Sequence, residues 1–112
     1  MIPSSVRIFV CTTPQDMRRS FDALALAAQE RLGEDPQSGA IFVFINRRAN
    51  RLKALWFDHN GYCILYKRVH QAVFVPPAST ERDRPVARID AMQLAKIFAG
   101  VDQPPRVRIK WH

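Results

Sequence analysis

Residue types that anchor familiar chemistries are scarce in this 112-residue chain. Cysteine occurs twice, as Cys11 and Cys63, in separate apolar runs without CxxC spacing. Both therefore read as buried free thiols, and a redox pair or thiolate metal site is not supported. The three histidines, His59, His70 and His112, have no metal-ligand spacing. Four glycines form neither a phosphate-cradling loop nor a nucleophile elbow. No apolar run approaches the roughly 18 residues a membrane span needs, and MIPSSVRIFV lacks a charged segment followed by a signal-length apolar one. A soluble, cytoplasmic protein is the expectation. Acidic residues are the minority, 10 against 17 Lys and Arg, for a formal net charge of +7.

That charge is concentrated. Within residues 41–68, IFVFINRRANRLKALWFDHNGYCILYKR, the cations Arg47, Arg48, Arg51, Lys53, Lys67 and Arg68 face one acid, Asp58, and contribute +5 of the total. Two strand-like apolar runs carry them. Clustered cations on a sheet point to an anionic partner: nucleic acid first, with an anionic membrane surface also compatible with charge alone.

The length and the 47% hydrophobic content suit one domain over residues 1–112. Residues 6–11 read as a first strand. Thr13, Pro14 and Asp16 form a capping-box variant that predicts a helix start. Met17, Phe21, Leu24, Ala28 and Leu32 follow at helical spacing as its apolar stripe, with Gly33 as the stop. Residues 40–45 are continuously apolar, which predicts a central strand covered on both faces. Residues 51–57 and 62–68 read as a hairpin around Asp58-His59-Asn60-Gly61. A bulged turn puts Lys53 opposite Lys67, and a two-residue Asn60-Gly61 turn puts it opposite Arg68. Either sets like charges across the ladder, unfavourable by roughly 0.2 to 1 kcal/mol unless an anion compensates. Residues 72–75 read as a fourth strand of the meander and 80–88 as a charged loop. Asp90 caps a second helix over 91–99, with Met92, Leu94, Ala95 and Phe98 as candidate core and Gly100 as its stop. Residues 101–112, with Arg106, Arg108 and Lys110, read as an added edge strand or a loose basic arm. The resulting fold class is α+β: an antiparallel meander of about four or five strands packed on one side by two helices, with the first strand pairing with residues 41–45.

The candidate nucleic-acid-binding residues are Arg47, Arg48, Arg51, Lys53, Lys67 and Arg68, extended by Arg18 and Arg19 if the first helix packs beside the hairpin. Ordinary surface charge is the alternative reading. Trp56, Tyr62 and Tyr66 are available to stack on bases or to fill the core. Arg18 and Asp22, four apart, read as an ion pair. Asp16, Asp22 and Asp58 invite comparison with the convergent carboxylates of a two-metal nuclease. Each has a simpler role, as a helix-start acid, an arginine partner and a turn former.

The ordered set VRIFV, QDMRRSFDALA, SGAIFVFINRRANRLKALWFD, GYCILYKR, AVFVPP and IDAMQLAKIFAGVD resembles the small accessory proteins encoded by the second reading frame of IS-66 type bacterial insertion sequences, often labelled TnpB. The likeness covers roughly residues 1–102. RNA-guided nucleases sharing that label are much longer. The resemblance implies a role in DNA transposition, beside a larger transposase and a companion small protein, with no strand-cutting chemistry and no cofactor. It implies a bacterial cytoplasmic protein, nucleoid-associated when acting. The residues matching the family's most recognisable positions are Asp16, Met17, Arg18, Phe21, Asp22, Arg48, Lys53, Trp56, Asp58, Gly61, Lys67 and Arg68. Two departures stand out: Val75-Pro76 replaces a common Trp-Pro pair, and the tail after Asp102 is nonstandard.

Two functions follow as expectations. One is a non-catalytic factor whose basic hairpin face binds element-end DNA, the transposase, or both; about five phosphate contacts would give a log K against log salt slope of around −4 to −5. The other is a pure protein adaptor whose cations meet acidic patches on the transposase complex without touching DNA.

Overall fold

A computed structural model describes residues 5–104. The chain runs β1 (Ile8–Cys11), α1 (Phe21–Glu30), β2 (Ile41–Ile45), β3 (Arg51–Asp58), β4 (Gly61–Arg68), β5 (Ala72–Val73), β6 (Val86–Ile89), α2 (Ala91–Ala99) and β7 (Val101–Asp102). It is an α+β fold with a five-stranded, mostly antiparallel sheet in the order β4-β3-β2-β1-β6. As expected, β1 pairs with β2, and the pairing is parallel, Ile8 beside Ile41 and Val10 beside Val43. The crossover through α1 makes that direction possible.

The two apolar runs lie at the centre because both of their faces are covered. Phe9, Cys11, Phe42, Phe44 and Leu55 pack on one face with Leu24, Ala28 and Leu32. Ile8, Val10, Val43, Ile45, Leu52 and Ala54 pack on the other with Leu94, Ile97 and Phe74. The helices thus sit on opposite faces, which corrects the one-sided packing read from the sequence. Side-chain alternation along β1 and β2 supplies apolar residues to both layers. Burying one such Leu or Phe contributes roughly 1.5 to 3 kcal/mol.

Helix α1 begins at Phe21 behind Ser20, later than the Thr13-Pro14 pattern suggested. Residues 13–19 instead cross the end of β2, where the Gln15 N–H donates to Ile45 O at 2.9 Å. Met17 packs at the core margin and Phe21 is exposed. Past the helix, Gly33 adopts φ 68°, and a Cβ there would collide with the Arg84 guanidinium. Helix α2 begins as read: Asp90 accepts from Gln93 N–H at 2.8 Å while Gln93 accepts from Asp90 N–H at 2.9 Å. Met92 on this helix is exposed, and Ile97 takes the core position instead.

Three assignments change. Residues 72–73 leave the meander and pair with residues 101–102 in a separate two-stranded sheet. Residues 86–89, inside the stretch read as a loop, form the edge strand beside β1. The hairpin closes on His59-Asn60, with Asp58 opposite Gly61, so Lys53 faces Tyr66 and the like-charged pair is Arg51 and Arg68. His59 takes φ 55°, the left-handed geometry of a tight hairpin turn. Of the C-terminal basic arm, residues 105–112 lie outside the described residues.

Candidate nucleic-acid interface

The turn between β2 and β3 is built by two asparagines. Asn46 Oδ1 accepts from the N–H groups of Asn50 and Arg51 at 3.0 and 2.9 Å, and Asn46 Nδ2 donates to Asn50 Oδ1 at 2.7 Å. Ala49 completes the reversal at φ 56°, its N–H donating to Asn46 O at 3.0 Å. Asparagine suits this role because its short amide mimics a backbone turn. The two residues left on the outside of the turn, Arg47 and Arg48, are exposed.

Arg51 follows directly as the first residue of β3, and its ladder partner is Arg68, the last residue of β4. Both share a sheet face with Leu55 and α1. Arg47, Arg48, Arg51 and Arg68 are therefore gathered at one end of the sheet, beside the loop that carries Arg18 and Arg19. Tyr66 lies on the same face, 46% exposed. Its hydroxyl accepts from Arg51 Nη1 at 2.7 Å, and its ring receives Lys53 Nζ 4.8 Å from the centroid.

The two lysines differ from these arginines. Lys53 is only 8% exposed, and its ammonium donates to Arg19 O at 2.6 Å, tying the 13–19 segment to β3. Lys67 points to the opposite face, where its ammonium donates to Phe98 O at 2.7 Å and sits 4.5 Å from the Phe98 ring centroid. A cation at that carbonyl also complements the negative end of α2. Arg18 chelates Asp16 rather than Asp22, with Nη2 to Oδ2 at 2.7 Å and Nε to Oδ2 at 3.0 Å. The guanidinium holds the Asp16 carboxyl down at about 2. Arg19 Nη1 donates to Gln15 Oε1 at 3.5 Å.

Among the described residues the salt bridges are Arg7 with Glu34 and Arg18 with Asp16. Neither involves the hairpin cations. Phosphate oxygens suit such a row because guanidinium groups donate in planar pairs and remain charged at every physiological pH.

The other aromatics stand elsewhere. Trp56 lines an apolar groove on the α2 face, and Tyr62 packs edge-on against Phe57 with centroids 5.1 Å apart. The sequence reading passed over Asn46, Asn50 and Tyr66 as organisers of the arginine cluster. The N-x-x-x-N spacing around the two arginines was the available sign.

The model of the family described as IS66 Orf2 like protein, TnpB_IS66, matches residues 6–107. An uncharacterized protein of Sinorhizobium fredii, y4hO, is 36% identical over 104 residues, covering 91% of this chain and 88% of that protein. A second from the same strain, y4jC, is 35% identical over 72 residues, covering 64% of this chain and 62% of that protein. No solved structure matches.

Proposed function

The chain belongs to the IS66 Orf2-like family of insertion-sequence accessory proteins, and from that premise we propose that it is a non-catalytic transposition factor binding the phosphates of element-end DNA through Arg47, Arg48, Arg51 and Arg68. One observation carries the reading: Arg51 and Arg68 stand opposite each other in the ladder beside the exposed Arg47 and Arg48, and no acid pairs with them among the described residues. Setting two arginines across a ladder costs roughly 0.2 to 1 kcal/mol, a cost that a bound polyanion removes. Lys53 and Lys67 then serve the scaffold, and Tyr66 supplies a ring beside the cations.

Phosphate contacts position a protein on DNA without reading its sequence. Four of them predict a log K against log salt slope of roughly −3 to −4. Fluorescence anisotropy with an element-end duplex over a salt series tests this. Absence of binding at low salt, with survival of a transposase complex after nuclease treatment, would replace it with the adaptor reading. The exposed Phe21 and Leu26 on α1 are the apolar surface that favours that alternative.

A further inference from the structure

Tyr66 is the aromatic side chain of the hairpin whose ring stands among the cations. Trp56 lines the groove on the α2 face, and Tyr62 packs edge-on against Phe57 at the margin of the α1 core. Alternation along β4 puts Ile64, Tyr66 and Arg68 on the α1 face, and the ladder sets Tyr66 opposite Lys53 and Arg68 opposite Arg51. The ring is thus flanked on that face by Arg51 and Arg68 on one side and by Ile64 on the other.

Two contacts fix the ring. Lys53 Nζ lies 4.8 Å from its centroid, and its hydroxyl accepts from Arg51 Nη1 at 2.7 Å. Lys53 is buried whereas Tyr66 is exposed. The ammonium therefore covers the inner face of the ring, and the exposed surface belongs to its outer face and rim. Shielding Lys53 accounts for the inner face and leaves the outer one unused.

A paired base cannot meet such a ring face to face. In a duplex the flat faces of the bases stack on one another, and only their edges reach the grooves. An unpaired base has a free face, and an aromatic ring set among cations on a sheet can stack on it while the cations hold the adjoining phosphates.

We propose that Tyr66 stacks on an unpaired nucleobase, so that the arginine row takes DNA with a single-stranded or frayed segment in preference to a fully paired duplex. This rests on the DNA reading above and names the form of DNA that the site prefers. Electrostatics alone points the other way, because a duplex presents the denser row of phosphates. A preference for unpaired DNA must then come from contact with the bases.

Fluorescence anisotropy on the full chain tests this with a blunt element-end duplex, the same duplex carrying a short single-stranded thymidine tail, and the same duplex carrying an abasic tail of equal length. Both tails bear the same phosphates. The thymidine tail should bind at least about fivefold tighter than the abasic one, the lower end of what a single stacked base contributes. That difference should persist across a salt series, since the charges are matched. Tyr66→Leu should abolish it, whereas Tyr66→Phe, which loses the bond from Arg51 and keeps the ring, should retain it. NMR of the wild type gives a readout independent of any variant. Of the chain's two tyrosines, Tyr66 should show ring protons shifted upfield by the thymidine-tailed duplex, and Tyr62 should not. Equal affinity for the two tails, a difference that survives Tyr66→Leu or disappears in Tyr66→Phe, or unmoved Tyr66 resonances would overturn the proposal and leave phosphate binding in place. Failure of all these duplexes to bind at low salt would instead remove the DNA reading itself, and this inference with it.

Discussion

Lys53 Nζ donates to the carbonyl oxygen of Arg19 at 2.6 Å, joining two positions 34 residues apart in the chain. This bond makes Lys53 a strut of the fold, in contrast to the exposed arginines a few residues before it. Lys53→Met keeps most of the side-chain volume and leaves the carbonyl without its donor. It should destabilise the protein by about 1 to 3 kcal/mol. Arg47→Ala, at an exposed turn position, should change stability by no more than about 0.5 kcal/mol. Urea denaturation of both variants checks the contrast, and equal stability of Lys53→Met and wild type would remove the structural role.

The arginine row makes a second, opposite demand on stability and binding. Arg68→Glu converts the cross-strand pair with Arg51 into one of opposite charge. The variant should gain roughly 0.2 to 1 kcal/mol in stability. Its affinity for an element-end duplex should fall, with a salt slope shallower by about 0.9 for the lost contact and a further decrease from the added negative charge. Thermal melts and anisotropy titrations read the two effects separately. A variant that is stabilised and binds as before would show that Arg68 does not meet phosphate.

Asp16 gives a dependence on acid. Its hydrogen bonds from the Arg18 side chain and backbone hold the carboxyl at about 2, below the ordinary aspartate value of 3.8. A depressed folded-state value means the interaction stabilises the native state fully above about 3.8 and is lost as pH falls toward 2. The pair is exposed, so the effect is small and weakened by salt. Asp16→Asn should flatten the melting temperature against pH between 4 and 2 in low salt, which a series of thermal melts measures.

The parts legible in the sequence are those in which local pattern and tertiary role coincide. Residues 41–45 read as a buried central strand because being covered on two faces demands an unbroken apolar run. Asp90 marks the start of α2 because an N-cap acts within one turn, and the structure shows Gln93 completing it as a capping box. Where a distant partner decides the outcome, the reading went astray. Thr13-Pro14-Gln15-Asp16 has the chemistry of a helix start, but Gln15 bonds to the end of β2 and Asp16 turns to Arg18. Residues 86–89 become a strand only through pairing with β1, more than 70 positions away. The hairpin register differs by one position from the bulged turn and by two from the Asn60-Gly61 turn, because Gly61 pairs with Asp58 in the ladder and His59 is the residue that takes the left-handed conformation. In the candidate site, charge alone grouped Lys53 and Lys67 with the arginines. Their carbonyl partners on Arg19 and Phe98 become visible only once the chain is folded.

Asn46 offers the sharpest separation of scaffold from contact surface. Its amide satisfies two backbone N–H groups and the Asn50 side chain, which together fix the turn that presents Arg47 and Arg48. Asn46→Ala removes all three bonds without altering any charge. The loss should cost about 1 to 3 kcal/mol of stability, since the freed groups recover only part of their bonding from water. It should also weaken DNA binding through a less ordered turn while keeping most of the salt slope, because all the cations remain. Arg47→Ala with Arg48→Ala should do the reverse, leaving stability nearly unchanged and reducing the slope by about 1.8. Measuring urea midpoints and salt slopes on both variants resolves the two contributions. If Asn46→Ala binds as tightly as wild type, presentation by the turn is irrelevant to binding and the arginines act as diffuse charge.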